Sequence, residues 1–135
     1  MAVPGSPEPN GLVSQKSDTG LIVFAHGSRV EAANQSVRAV ACELADLGSF
    51  RNVEAAFLEL GQPDLQGAAN RLIAKGLSRI LVIPYFLTLG THLERDLPRL
   101  VGQIASAHPG LEIRVARPLD GHPSLVRILL DRSQE

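Results

Sequence analysis

Two of the four histidines stand where chemistry is easiest to build. His26 follows the apolar run Leu21-Ile22-Val23-Phe24-Ala25 and precedes Gly27-Ser28-Arg29. His92 follows a second run, Ile80-Leu81-Val82-Ile83, after a stop at Pro84 and a turn at Gly90. An acid, Glu59, closes a third apolar run. Neutral imidazole binds a borderline divalent metal, and a carboxylate beside it either joins the ligand set or takes up protons. Two histidines and one carboxylate therefore suit a transition-metal site completed by water or by substrate atoms. A reaction fitted to them removes protons from a nitrogen ligand while the metal passes to that ligand. An unperturbed imidazole, with a pKa of about 6.5, is uncharged at neutral pH often enough for both tasks.

Each of these residues also has a plainer reading. His26 is then a loop histidine bonded to backbone, His92 a solvent-facing residue near a helix start, and Glu59 a solvated strand end. Position after an apolar strand favours function for His26. Around them, the N–H groups of the Gly27-Ser28 turn, with Arg29 for charge, suit a carboxylate as well as a phosphate. No full phosphate loop or dinucleotide fingerprint is present. Arg95, one helical turn beyond His92, either meets an acidic substrate or lies on a solvated face. Thr88, Leu89 and Gly90 read as a pocket wall, with Leu87 and Leu89 offering apolar surface to a flat ring. His108 reads as a surface cap, and His122 as a loop or capping residue or a substrate contact. Cys42, with no thiol or histidine beside it in sequence, reads as a helix residue without chemistry.

The elements that must position these residues alternate. Residues 21–25 form a strand apolar at every position, as a parallel strand covered on both faces requires. Val37, Val40, Ala41, Leu44 and Leu47 recur at helical spacing, with Gly48 as the stop. Residues 53–58 form a second strand ending at Glu59. Gly61-Gln62-Pro63 breaks it, Asp64 caps a helix burying Leu65, Ala68, Ala69 and Leu72, and Gly76 ends that helix. Residues 79–83 form the third strand, followed by a long loop through His92. The next helix buries Leu93, Leu97, Leu100, Val101 and Ile104. Pro98 requires that helix to begin around Asp96 or to have an irregular first turn. Residues 111–116 make a fourth strand nearer an edge, 118–123 a loop, and 124–131 a terminal helix. The pattern predicts an α/β fold with a parallel sheet and right-handed crossovers. In such a sheet all carboxyl strand ends share one edge, which receives His26, Glu59 and His92.

The 135 residues suit one domain, residues 20–135, preceded by a Pro-, Gly- and Ser-rich stretch, residues 1–19, that reads as a disordered tail. Thirteen basic against fourteen acidic residues leave a net charge of -1, which gives no footing for a nucleic-acid or membrane-surface partner. Tyr85, Phe24, Phe50, Phe57 and Phe86 are too few for a base-stacking platform. No apolar stretch approaches the roughly 20 residues that span a bilayer, and no signal-peptide pattern opens the chain. One cysteine excludes an internal disulfide. The expectation is a cytoplasmic protein.

From residue 20 to residue 131 the chain resembles the small single-domain CbiX-type sirohydrochlorin chelatases, relatives of ferrochelatase. The marks are Phe24-Ala25-His26-Gly27-Ser28-Arg29, then Ala56-Phe57-Leu58-Glu59-Leu60 with Pro63. Pro84-Tyr85-Phe86-Leu87-Thr88-Leu89-Gly90-Thr91-His92 with Asp96-Leu97-Pro98 follows, and Pro118-Leu119-Asp120-Gly121-His122-Pro123 closes the set. The resemblance implies a chelatase-like three-layer fold with a four-stranded parallel sheet in the order 2-1-3-4. It implies insertion of a divalent metal, cobalt or ferrous iron with nickel also compatible, into sirohydrochlorin, an acidic tetrapyrrole of cobalamin or siroheme biosynthesis. His26 and His92 would handle metal and protons, and Glu59 would match the acid after strand two. Ser28, Arg29, Thr88, Leu89, Gly90 and Arg95 would face the macrocycle, the metal being substrate rather than a tightly held cofactor. Short members are expected to pair as homodimers. Two other functions compete: a noncatalytic metal or tetrapyrrole carrier, and a phosphoester-processing enzyme built on His26-Gly27.

Overall fold

A computed structural model describes residues 18–135. Four strands, β1 (Thr19–Ala25), β2 (Val53–Phe57), β3 (Arg79–Pro84) and β4 (Glu112–Val115), alternate with four helices, α1 (Glu31–Gly48), α2 (Leu65–Ala74), α3 (Gly90–Ala107) and α4 (Ser124–Arg132). All strand pairs are parallel and the order is β2-β1-β3-β4. The expected tail lies outside the described residues up to residue 17. Thr19, assigned to that tail, is already the first residue of β1.

Burial explains the central place of β1. Leu21, Ile22, Val23, Phe24 and Ala25 are all buried, so both faces of the strand need a cover. Ile22 and Phe24 pack with Leu65, Ala68, Ala69 and Leu72 of α2 and with Leu93, Leu97 and Ile104 of α3. Val23 and Ala25 point the other way, to Ala41, Val37 and Leu44 of α1. The result is a three-layer α/β sandwich. Asp64 caps α2, its side chain accepting the Gly67 N–H at 2.8 Å. Among the described residues no helix is long and apolar enough to cross a membrane.

Several expectations need correcting. α3 starts at Gly90 rather than near Asp96, and runs straight through Pro98. A proline inside a helix costs about 3 kcal/mol. Burying Leu93, Leu97 and Ile104 stabilises by roughly 1.5–3 kcal/mol each, and these flank Pro98 on both sides. Packing outweighs the missing hydrogen bond, and His92 therefore sits in the first turn of a helix rather than in a loop. α1 includes Gly48, and the left-handed residue that ends it is Ser49. Leu47, counted in the buried stripe, is 90 % exposed. β2 stops at Phe57, and β3 includes Pro84. The edge strand β4 carries Glu112 and Arg114, charges that discourage edge pairing.

Leu72 is fully buried where α2 meets β1. Leu72→Ala is expected to lower unfolding free energy by about 2–5 kcal/mol. Urea denaturation of the two proteins measures the difference.

Candidate active site at the carboxyl edge of the sheet

The β1–β2 ladder continues beyond the two strands. The Leu58 N–H donates to the Ala25 carbonyl at 2.9 Å, and the Glu59 N–H to the His26 carbonyl at 3.0 Å. His26 and Glu59 are thereby held side by side, with His26 Nε2 at 3.4 Å from Glu59 Oε2. Each side chain is 57 % exposed. An ion pair this open contributes about 0–1 kcal/mol, too little to place two loops. The backbone places them.

Gly27 shows how closely the loops approach. Its φ is 95°, and a Cβ built on it would collide with the Glu59 carbonyl oxygen. Only glycine tolerates both conditions. Behind it, Asn34 of α1 is 2 % exposed and fully bonded. Its Oδ1 accepts the Ser28 N–H at 2.9 Å, and its Nδ2 donates to the Ser28 and Leu60 carbonyls at 2.9 Å each. A longer contact, 3.3 Å, reaches Glu31 Oε1. One helix turn on, Arg38 donates to Glu31 Oε2 at 2.8 Å and to the Gln62 carbonyl at 2.9 Å, and lies 5.1 Å over the Phe57 ring. The hydrogen bond from Arg38, then that from Asn34, holds the Glu31 carboxyl below its ordinary pKa. Sequence reading overlooked Asn34 and Arg38. The available signal was a polar residue one turn into an amphipathic helix, at a position facing the sheet.

The pair itself has a definite chemistry. His26 Nδ1 lies 3.2 Å from the Gly27 carbonyl and Nε2 3.4 Å from the Glu59 carboxylate, oxygens that only accept. In the neutral tautomer protonated at Nδ1, Nε2 turns a lone pair toward the carboxylate, and a cation between them reconciles the two acceptors.

His92 reaches the same edge from α3. Its Nδ1 is 3.3 Å from an Arg95 guanidinium nitrogen, which engages Arg95 with His92 and with Asp96 at 3.9 Å. Among the described residues no three of His, Cys, Asp and Glu gather closely enough to hold a metal ion. The set His26, Glu59 and His92 is therefore not assembled within one chain, because His92 rides on a separate helix. The Ser28 N–H is committed to Asn34, and Ser28 Oγ accepts from Val30 N–H at 3.0 Å. Arg29 is exposed, with no ion pair among the described residues. Thr88 and Gly90 are exposed, whereas Leu89 packs against the main core with Phe86, leaving Leu87, with Tyr85, as exposed apolar surface of that loop.

Residues 117–123 join this edge through two backbone bonds, Leu119 N–H to the Phe86 carbonyl at 2.9 Å and Asp120 N–H to the Leu87 carbonyl at 2.8 Å. His122 Nδ1 accepts the Ser124 N–H at 3.1 Å and so caps α4. Arg117, Asp120 and His122 line a cavity of about 320 Å³ there. His108 ends α3, and Cys42 is an exposed free thiol.

A family model described as CbiX matches residues 20–135. A sirohydrochlorin cobaltochelatase from Methanopyrus kandleri is 29 % identical over 135 residues, covering 85 % of this chain and 94 % of that protein. A chloroplastic sirohydrochlorin ferrochelatase from Arabidopsis thaliana is 30 % identical over 135 residues, covering 96 % of this chain and 60 % of that protein. The crystal structure of the sirohydrochlorin chelatase SirB from Bacillus subtilis subspecies spizizenii, in complex with cobalt, superposes with a TM-score of 0.80 at 26 % identity. That match covers 87 % of this chain and 50 % of SirB, so the chain spans half of the SirB length.

Gly27→Ala is expected to push the Glu59 loop away from His26 and to destabilise the fold by about 1–3 kcal/mol through strain at positive φ. Thermal unfolding and a crystal structure of the variant check both parts.

Proposed function

The chain belongs to the CbiX family, and from that membership we propose that it is a sirohydrochlorin chelatase inserting cobalt or ferrous iron into the tetrapyrrole. Sirohydrochlorin chelatase activity of this general type is supported by the family, since the curated relatives carry that name. The metal is the finer question, and the relatives named above divide between cobalt and iron. The product would serve cobalamin or siroheme biosynthesis accordingly.

The observation that carries the reading is the His26–Glu59 pair. Two ligand atoms each about 2.1 Å from one tetrahedral metal stand about 3.4 Å apart. The Nε2–Oε2 separation is 3.4 Å. At insertion M²⁺ enters the ring and two pyrrole N–H protons leave. In this mechanism His26 Nε2 and Glu59 hold the aquo-metal while the macrocycle settles over the edge. As the ring nitrogens take the metal, the imidazole and carboxylate accept protons, directly or through water. His92 offers the second imidazole across the cleft, where binding through Nδ1 displaces Arg95. Arg29 and the freed Arg95 face the substrate's carboxylates, and Thr88, Gly90 and Leu87 line the approach.

A second copy of the chain is proposed to complete the cleft. The chain spans half of SirB, and α4 leaves Val126, Ile128, Leu129 and Leu130 exposed. The free Cys42 thiol fits a reducing, cytoplasmic setting. A phosphoester-processing reading loses ground because the Ser28 N–H, needed for an anion cradle, is bonded to Asn34.

Anaerobic metallation of sirohydrochlorin, followed by visible absorbance with cobalt, ferrous iron and nickel at equal free concentration, tests the reading. Acceleration over the protein-free rate is expected, with His26→Ala and His92→Ala each losing about 100-fold or more. Tetrapyrrole binding without any acceleration would leave a carrier instead.

A further inference from the structure

Asn34 is the one buried polar or charged residue among the described residues, and it belongs to neither loop that carries the His26–Glu59 pair. It nevertheless joins them. Its amide bonds Ser28, two residues beyond His26, through both N–H and carbonyl, and bonds the carbonyl of Leu60, the residue after Glu59. The orientation of the amide is determined, because a flipped group would set NH₂ against the Ser28 N–H and leave two carbonyls facing an oxygen. Leu60 has a φ of 59°, an unfavourable conformation for leucine that a firm hydrogen bond to its carbonyl helps to hold.

From this geometry we infer that Asn34 is a positioning residue of the metal-exchange site: it sets the separation of His26 Nε2 and Glu59 Oε2 by tying the two loops to α1. The inference rests on the chelatase reading for its effect on rate, though not for its structural content. The ladder bonds at Leu58 and Glu59 fix backbone register up to Glu59. Beyond Glu59, Leu60 turns the chain back, and the Asn34 bond holds that turn. Without it the Glu59 end of the loop loses a fixed point on its downstream side. Carboxylate and imidazole then no longer share one ion. Burial makes the clasp effective, since a partner lost here leaves carbonyls that water replaces poorly.

Two measurements test it. The first is a double-mutant cycle on metallation rate with Asn34→Ala and Glu59→Gln. Acting through Glu59, Asn34→Ala is expected to lower kcat about 10–100-fold with little change in KM in the parent, and less than about 3-fold in the Glu59→Gln background. Ile104→Val, a core change remote from the edge, serves as the stability control and is expected to leave kcat unchanged. Equal losses in both backgrounds, or an equal loss in the control, would overturn the inference. The second measurement needs no activity: ¹⁵N resonances of the His26 ring in the metal-free protein. Asn34→Asp keeps the acceptor for the Ser28 N–H and removes both donors, so it serves if the alanine variant does not fold. Either variant is expected to move the His26 Nε2 resonance toward its position in Glu59→Gln. Unmoved resonances would reject the role of Asn34. Should the parent protein fail to accelerate metallation, the chelatase reading falls, and the ring resonances still decide on Asn34.

Discussion

The whole carboxyl edge depends on β1 being buried between β2 and β3. A strand apolar and buried from Leu21 to Ala25 must be covered on both faces and paired on both sides, and those demands draw α1 to one face and α2 with α3 to the other. Parallel pairing then carries the chain ends of β1 and β2 past the sheet in register. Leu58 and Glu59 extend the ladder onto Ala25 and His26, so a packing requirement in the core becomes a fixed separation between an imidazole and a carboxylate. The chemistry follows from the sheet rather than from attraction between the two groups, which lie open to solvent.

That division of labour suits the proposed role, in which a metal would pass through the site. A closed, strongly bonded metal cage would retain its ion, whereas two donors on firm backbone and little else leave the remaining positions to water and substrate. Arg38 and Asn34 supply the rigidity from behind: one lays its guanidinium over Phe57 and binds the Gln62 carbonyl, the other bridges Ser28 and Leu60. The side chains that face solvent can thus move without loosening the loops beneath them, as the proposed exchange of a metal for protons requires.

Much of this was legible in the residue pattern. The four strands, their helices and the edge on which His26 and Glu59 meet follow from apolar runs and helical spacing. The strand order came from resemblance, since periodicity does not reveal which strands are neighbours. Misreadings arose where tertiary packing overrides a local rule. Pro98 forbids a helix interior by propensity, yet Leu93, Leu97 and Ile104 carry α3 across it and place His92 in its first turn. Leu47 fits a helical stripe but lies past the end of the sheet-facing contacts, and Leu89 turned inward where a pocket wall was expected. Asn34 was overlooked because its partners are backbone groups 6 and 26 residues away, which a side-chain pattern does not record.

The central claim is that His26 and Glu59 together form the metal-exchange site. Crystals of the protein soaked in cobalt, with anomalous difference density recorded at the cobalt edge, measure it directly. The account predicts a peak within bonding distance of His26 Nε2 and Glu59 Oε2. Cobalt density confined to other side chains, such as His108 or His122, with the His26–Glu59 pair vacant would contradict it.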